Sequence, residues 1–148
     1  MKTILVPVDF SPATSHVCNA ACQLARSLNA RLRLLHVAQT PPFLMNDYYG
    51  FDTGTMGEIL AIGEKASLKQ LESLRRRCQK NGLKVDAEQI SGATVPVIVK
   101  QSRERKAAYI VIGSHGHGAV FDLLVGSTTH GVLRKARCPV LVVPTIRL

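Results

Sequence analysis

The chain reads as a parallel α/β fold, a sheet with helices on both faces, and three observations predict it. Short apolar, β-branched runs alternate along the chain with longer stretches of helical period. Several of those runs are apolar at successive positions, as strands covered on both faces are, rather than alternating apolar with polar. The segments that follow the first and fourth runs are rich in Pro, Asp, Ser and Gly, the composition of loops at the carboxyl ends of strands.

Thr3-Ile4-Leu5-Val6-Pro7-Val8 is the first strand. Ser11 then offers an N-cap with Pro12 at the first helical position, and Val17, Ala20, Ala21, Leu24, Ala25 and Leu28 repeat at helical spacing as far as Asn29. Arg31 to Val37 is the second strand, and Gln39 to about Thr55 a loop without periodicity. From about Met56 to Asn81 the spacing of Ile59, Leu60, Ile62, Ala66, Leu71, Leu74 and Cys78 predicts a long amphipathic helix, closed by Asn81-Gly82 in a left-handed stop. Val85 to Ile90 is a third, more polar strand, and Thr94 to about Arg105 a helix with Val95, Val97 and Ile98 inward. Ala108 to Ile112 is the fourth strand, running into Gly113-Ser114-His115-Gly116-His117-Gly118. The last helix follows Gly126-Ser127-Thr128 and runs to about Arg137, and Pro139 to Val143 is the fifth strand.

At 148 residues the chain is expected to be one domain, 1–148, large enough to bury a core. A hydrophobic fraction of 46% with 20% charged residues excludes a disordered segment, a collagen-like repeat and a disulfide miniprotein. No run nears the length of a membrane span, and Pro7 and Asp9 interrupt the opening apolar run before a signal-peptide core could form, so a cytoplasmic address without membrane attachment is expected. Cys18, Cys22, Cys78 and Cys138 are then expected to be thiols. Cys18 and Cys22 share one helix face as small buried hydrophobes, and parallel β-carbons disfavour a disulfide between them. Nineteen Lys and Arg against ten Asp and Glu give a net charge of +9, which puts an anionic partner among the readings; the basic runs at Arg75-Arg76-Arg77 with Lys80, Arg103 to Lys106 and Arg134-Lys135-Arg137 read first as solvated helix faces. Nucleic acid is the weaker choice, because no recognition motif and no interleaved aromatics accompany the basic residues.

In this fold class ligands sit outside the carboxyl ends of strands where strand order reverses. Candidate positions are therefore Pro7, Val8 and Asp9, then Val37, then Ile112 onward. Gly113 and Gly116, followed by Gly126-Ser127-Thr128 at a helix start, allow close backbone approach to an anion and set a helix dipole toward it. The pattern lacks the Gly-Lys-Ser/Thr of a P-loop and carries Phe121 where a dinucleotide fingerprint has its third glycine. Asp9, just before Ser11-Pro12, serves either a ligand or the backbone donors of its own turn. His115, His117 and His130 lack an evident fourth ligand for a metal; beside phosphates, His115 and His117 are better read as contacts that strengthen as imidazole is protonated near pH 6.5.

Gly113, Gly116, Gly126 and Ser127 in Gly-x2-Gly-x9-Gly-Ser spacing, the opening Ile4-Leu5-Val6-Pro7-Val8-Asp9 and the closing Cys138-Pro139-Val140-Leu141-Val142-Val143 resemble the universal stress protein family, across essentially the whole chain. The resemblance implies an open five-stranded parallel sheet of order 3-2-1-4-5, Rossmann-like and similar to adenine nucleotide hydrolases, usually in a homodimer. For the subset with this glycine pattern it implies bound ATP, with Mg or Mn held through the phosphates. On that resemblance Pro7, Val8 and Asp9 lie beside adenine and ribose, Val37 packs on adenine, and Ile112 and Gly113 follow the nucleoside. His115, Gly116 and His117 run beside the phosphates, and Gly126, Ser127 and Thr128 hold the tail. The fifth strand, Pro139 to Val143, then lies at a sheet edge and is expected to pair with a second copy. No Lys or Arg stands between Ile110 and Gly131, so a nucleotide-dependent regulatory or stress-response module with little or no hydrolysis is expected. The alternative is a nucleotide-free dimeric scaffold for protein partners.

Overall fold

The computed structural model describes residues 1–39, 53–117 and 124–145. The element order is β1 (Thr3–Val8), α1 (Thr14–Ser27), β2 (Arg31–Ala38), α2 (Thr53–Gln79), a 3-10 turn (Lys80–Gly82), β3 (Val85–Ser91), α3 (Thr94–Glu104), β4 (Tyr109–Gly113), α4 (Ser127–Lys135) and β5 (Val140–Val143). The strands form one five-stranded sheet in the order β3-β2-β1-β4-β5. Every pairing is parallel, with Ile4 beside Leu32 and Tyr109, Leu34 beside Ala87, and Ile112 beside Val142. The fold class and the sheet order expected from the sequence are those observed.

The unbroken apolar runs have their explanation in the two cores. Ile4, Val6, Leu32, Leu34 and Val111 point to one face, where they meet Val17, Cys18, Ala21, Cys22 and Ala25 of α1 and Leu71, Leu74 and Cys78 of α2. Leu5, Leu35, Ile110 and Ile112 point to the other, against Ile98 of α3, Ala107 and Val132 of α4. Successive strand residues thus enter opposite cores, which is why alternation is absent.

Boundaries agree with expectation to one or two residues except at two helix starts. Ser11 does not cap α1: Ala13 is the N-cap residue and the helix begins at Thr14. Phe10 adopts a left-handed backbone, φ 58°, and Ser11 O accepts from Thr14 N at 3.0 Å, closing a turn with Pro12 at its second position. The cap geometry is displaced by that turn. The expected loop from Gln39 lies largely outside the described residues, and its last residues, from Thr53, are already helical.

The inward stripe expected on α2 holds only for its second half. Leu71, Leu74 and Cys78 are buried, whereas Ile59 is 58% and Ile62 68% exposed. The helix has 27 residues, about 40 Å at the usual rise, and β2, the longest strand, has 8, about 26 Å. An element that long overhangs the sheet, and its excess has no strand beneath it. Gly82, at φ 78°, is the left-handed stop.

Cys78 of α2 meets Cys18 and Cys22 of α1 inside the first core, where contact with Cys78 and then burial push the Cys22 thiol up. Cys78 itself is pushed up to about 11, chiefly by Cys18. All four cysteines are free thiols. Neutral thiols fit an apolar core, as small hydrophobes do.

Two glycines on helices illustrate opposite constraints. A Cβ at Gly63 on α2 meets nothing within 4 Å, whereas one at Gly131 on α4 comes to 2.8 Å from a Val95 methyl of α3. Gly63→Ala is therefore expected to stabilise the protein by about 1 kcal/mol through helix propensity. Gly131→Ala gains the same propensity but overpacks the α3–α4 contact at about 1–3 kcal/mol, a net loss that Val95→Ala should relieve. Urea denaturation of the variants and the double mutant measures both signs.

Candidate functional site

Because β1 lies between β2 and β4, α1 leaves toward one face and the chain after β4 toward the other, and a cleft opens between their loops. A pocket of about 540 Å3 occupies it, within the usual range for small-molecule sites. Its lining contains every residue predicted from the sequence: Pro7, Val8 and Asp9 after β1, Val37 on β2, Ile112, Gly113, His115, Gly116 and His117 at and after β4, and Gly126, Ser127 and Thr128 at the start of α4. Asp122 lies outside the described residues.

Asp9 clasps the two loops together. One carboxylate oxygen accepts from the Ser11 N–H at 3.0 Å and from the Thr14 hydroxyl at 3.5 Å, and the other accepts from the His117 N–H at 3.2 Å. The His117 ring returns the contact, Nε2 donating to the Asp9 carbonyl at 2.8 Å. Partial desolvation raises the Asp9 carboxyl, but hydrogen bonds from Ser11 and His117 outweigh it and hold the group below the usual carboxylate range. Of the two roles open to Asp9, the backbone role is realised in these contacts. Gly116 faces the same carboxylate, and a Cβ there would collide with Asp9 Oδ2. Glycine is thus required at 116 by the clasp itself.

His115 departs from a loop-surface placement. It is 4% exposed, with Nδ1 3.1 Å from Ser114 Oγ, and its backbone is pinned by Thr145, whose hydroxyl accepts from the His115 N–H at 3.0 Å and donates to its carbonyl at 2.9 Å. Ser114 Oγ also accepts from the Thr145 N–H at 3.0 Å. The chain just past β5 therefore shapes the glycine loop. Thr129 closes it from α4, donating to the Gly113 carbonyl at 2.7 Å, and the Gly126 N–H donates to the Ser114 carbonyl at 2.7 Å.

These hydroxyls were not singled out in the sequence. Nor was Thr94, whose hydroxyl accepts from Gln39 Nε2 at 2.6 Å; His36, on β2, reads in the sequence as a hydrogen-bonded residue rather than a ligand, and it donates from Nδ1 to the Val8 carbonyl at 2.9 Å. The placement of Thr145 two residues beyond β5, level with the exit of β4, is the signal that could have found it.

The pocket's lining is chemically mixed. Val37, Ile98, Ile112 and Leu35 give an apolar wall. The start of α4 also lines the pocket; the helix begins at Ser127 with Gly126 as N-cap and no side-chain cap bond, so its first-turn N–H groups lie at the cleft without an intrahelical partner. A Cβ at Gly126 would touch Ser114 O at 3.5 Å, an ordinary contact, and its φ of −70° suits any residue. Nothing in the protein itself demands glycine there; close approach of another molecule would. Among the described residues the lining holds no Lys or Arg, and no group of three or more His, Cys, Asp or Glu is arranged to hold a metal ion.

The clasp has a measurable acid signature. A carboxyl lowered in the folded state stabilises it above the unfolded value of about 4 and loses that contribution as pH falls through the folded value. Asp9→Asn is expected to cost about 1 kcal/mol at pH 7, with the gap to the parent protein narrowing below about pH 4. Urea denaturation of both proteins at neutral and acid pH tests it.

Comparison with known proteins accounts for this geometry. The model of the universal stress protein family matches residues 1–144. Universal stress protein A homolog 1 of Coxiella burnetii is 32% identical over 145 residues, 96% of this chain and 95% of that protein. The solved structure of MJ0577, a universal stress protein of Methanocaldococcus jannaschii, superimposes with a TM-score of 0.86 at 24% identity, covering 99% of this chain and 98% of that one. A universal stress protein of Archaeoglobus fulgidus solved in complex with dAMP superimposes at 0.67 and 20% identity, covering 96% and 97%. With the family pattern matched from β1 through β5 and its sheet order reproduced, the chain belongs to the universal stress protein family.

Proposed function

We propose that the pocket binds ATP and that the protein is a nucleotide-dependent regulatory or stress-response module with little or no hydrolysis. The observation that carries this reading is the pocket's make-up: an apolar wall suited to a flat base together with the start of α4, which has no side-chain cap, and Gly126, where the protein's own packing does not demand glycine. The dAMP complex of the Archaeoglobus fulgidus relative supports an adenine nucleotide. Val37 is the residue for the base, Asp9 for the ribose side, and Gly126, Ser127 and Thr128 for the phosphate tail, with Gly113, His115, Gly116 and His117 along its path. Mg or Mn would be carried in on the phosphates, since among the described residues the lining supplies Asp9 as its one carboxylate and that carboxylate is engaged by backbone donors.

Fast turnover would call for a charge clamp on the transferred group. Among the described residues the lining has none, and the sequence of residues 40–52 and 118–123 contains no Lys or Arg. Among the described residues no helix is long and apolar enough to cross a membrane, in keeping with a cytoplasmic module.

Purified protein, denatured, is expected to release ATP, and protein stripped of nucleotide to melt higher with ATP and Mg. At about a hundredfold excess over Kd the gain is about 2.7 kcal/mol. Gly126→Val is expected to abolish the shift while circular dichroism stays unchanged; Gly116→Val is the poorer test, because it strikes Asp9 first. No heat and no melting shift at millimolar ATP would leave a scaffold function in its place.

The homodimer belongs to the same reading. β5 is one of the two edge strands, pairs only with β4 among the described residues, and leaves Leu141 42% exposed. An antiparallel match of two such edges covers unpaired backbone groups and gives a two-fold contact. Light scattering should return twice the chain mass for the native protein. Val142→Pro and Leu141→Lys, which test backbone pairing and burial separately, should return monomer.

A further inference from the structure

The second feature with a ligand's chemistry lies at the far ends of α3 and α4. Lys100 and Arg103 on α3, Arg134 and Lys135 on α4, and Arg137 beyond α4 line a groove of about 680 Å3. All five side chains are exposed. The groove's one carboxylate, Glu104, is committed: it lies 3.7 Å from Lys100 Nζ and accepts from Gln101 Nε2 at 3.0 Å. Arg103, Arg134, Lys135 and Arg137 have no carboxylate within ion-pair distance among the described residues. By contrast Arg33, Arg75, Arg76 and Arg105 are each matched to Asp86, Glu72 or Glu88. Exposed cations elsewhere, such as Arg26, Lys69 and Lys84, also stand without a carboxylate among the described residues, so what distinguishes the groove is the gathering of five cations around one floor.

Helix dipoles favour a basic residue in each last turn. That accounts for one or two of these cations. It does not account for Arg137, which lies outside both helices, nor for the concave floor of Pro96, Val99 and Ala136 on which the charges converge. The groove contains no aromatic side chain, so a single nucleic-acid strand would find no surface to stack on. Its concavity suits a chain segment better than a flat bilayer.

We propose that this groove docks an acidic segment of a partner protein, its carboxylates paired with Arg103, Arg134, Lys135 and Arg137 and an apolar side chain seated on Pro96, Val99 and Ala136. The floor supplies burial and the cations supply steering and register. The nucleotide pocket is separate, so this docking does not depend on how that pocket is filled.

Fluorescence anisotropy with a labelled peptide of alternating Glu and Leu, on the full chain without nucleotide, tests the proposal. The peptide is expected to bind, more weakly as salt rises, and its Gln-Leu counterpart to fail. Arg103→Glu combined with Arg134→Glu should weaken binding at least about tenfold, and Lys135→Glu alone should weaken it in the same direction. Arg76→Glu, on the far side at α2, should leave it unchanged, with circular dichroism confirming the fold of each. The proposal is overturned if the Glu-Leu peptide does not bind, if it binds the groove variants as tightly as the parent, or if an oligo-dT strand or phosphatidylserine vesicles bind the groove more tightly than the peptide.

Discussion

The structure hangs on the position of β1. Buried on both faces and flanked by β2 and β4, it is the point at which the order of the sheet turns back, so the chain leaving it and the chain leaving β4 diverge to opposite faces. Divergence creates the cleft but would also leave its walls independent. Asp9 removes that independence. Its two carboxylate oxygens take backbone donors from both walls, Ser11 on one and His117 on the other, and the low pKa of the group follows from the same bonds. Phe10 in the left-handed region, the turn at Pro12 and the delayed start of α1 are consequences of bringing the Ser11 N–H back onto that carboxylate.

The second wall is held from farther away. Thr145, in the chain leaving β5, grips Ser114 and His115 from one side, while Thr129 and the Gly126 N–H hold Gly113 and Ser114 from the other. Small hydroxyl side chains suit this work because each is donor and acceptor at once and can satisfy backbone groups that a glycine-rich segment leaves unpaired. The result is a loop shaped by its neighbours rather than by its own composition.

Much of this was legible in the chain. The strands were, because their residues serve two cores and so appear as uninterrupted apolar runs; Ile4, Leu5 and Val6 enter alternate faces, and none can be polar. The pocket lining was, because in a parallel sheet the site is fixed by strand ends, and glycine spacing marks which end carries it. The hydroxyl network was not: Thr145 and His115 lie thirty residues apart, and no local period records a contact of that range. The exposure of Ile59 and Ile62 was not either, since helical periodicity gives the direction a side chain points and not whether anything lies opposite. The meeting of Cys78 with Cys18 and Cys22 likewise needed the packing of α2 on α1.

The two sites share a frame. Thr94 and Ile98 of α3 and Ser127, Thr128 and Thr129 of α4 line the pocket, while the other ends of the same helices carry the basic groove. Between them Gly131 lets α4 approach Val95 more closely than any side chain would allow, so the pair has little slack to absorb a displacement at one end. A ligand changes affinity elsewhere only by as much as it binds two arrangements differently. For any ligand at the start of α4 the arrangements that matter are those that alter this helix crossing, because contacts confined to the Gly126 loop would leave Arg134, Lys135 and Arg103 where they are. The structure gives the crossing one closely packed arrangement at Gly131, so filling the pocket leaves the cations of the groove where they are.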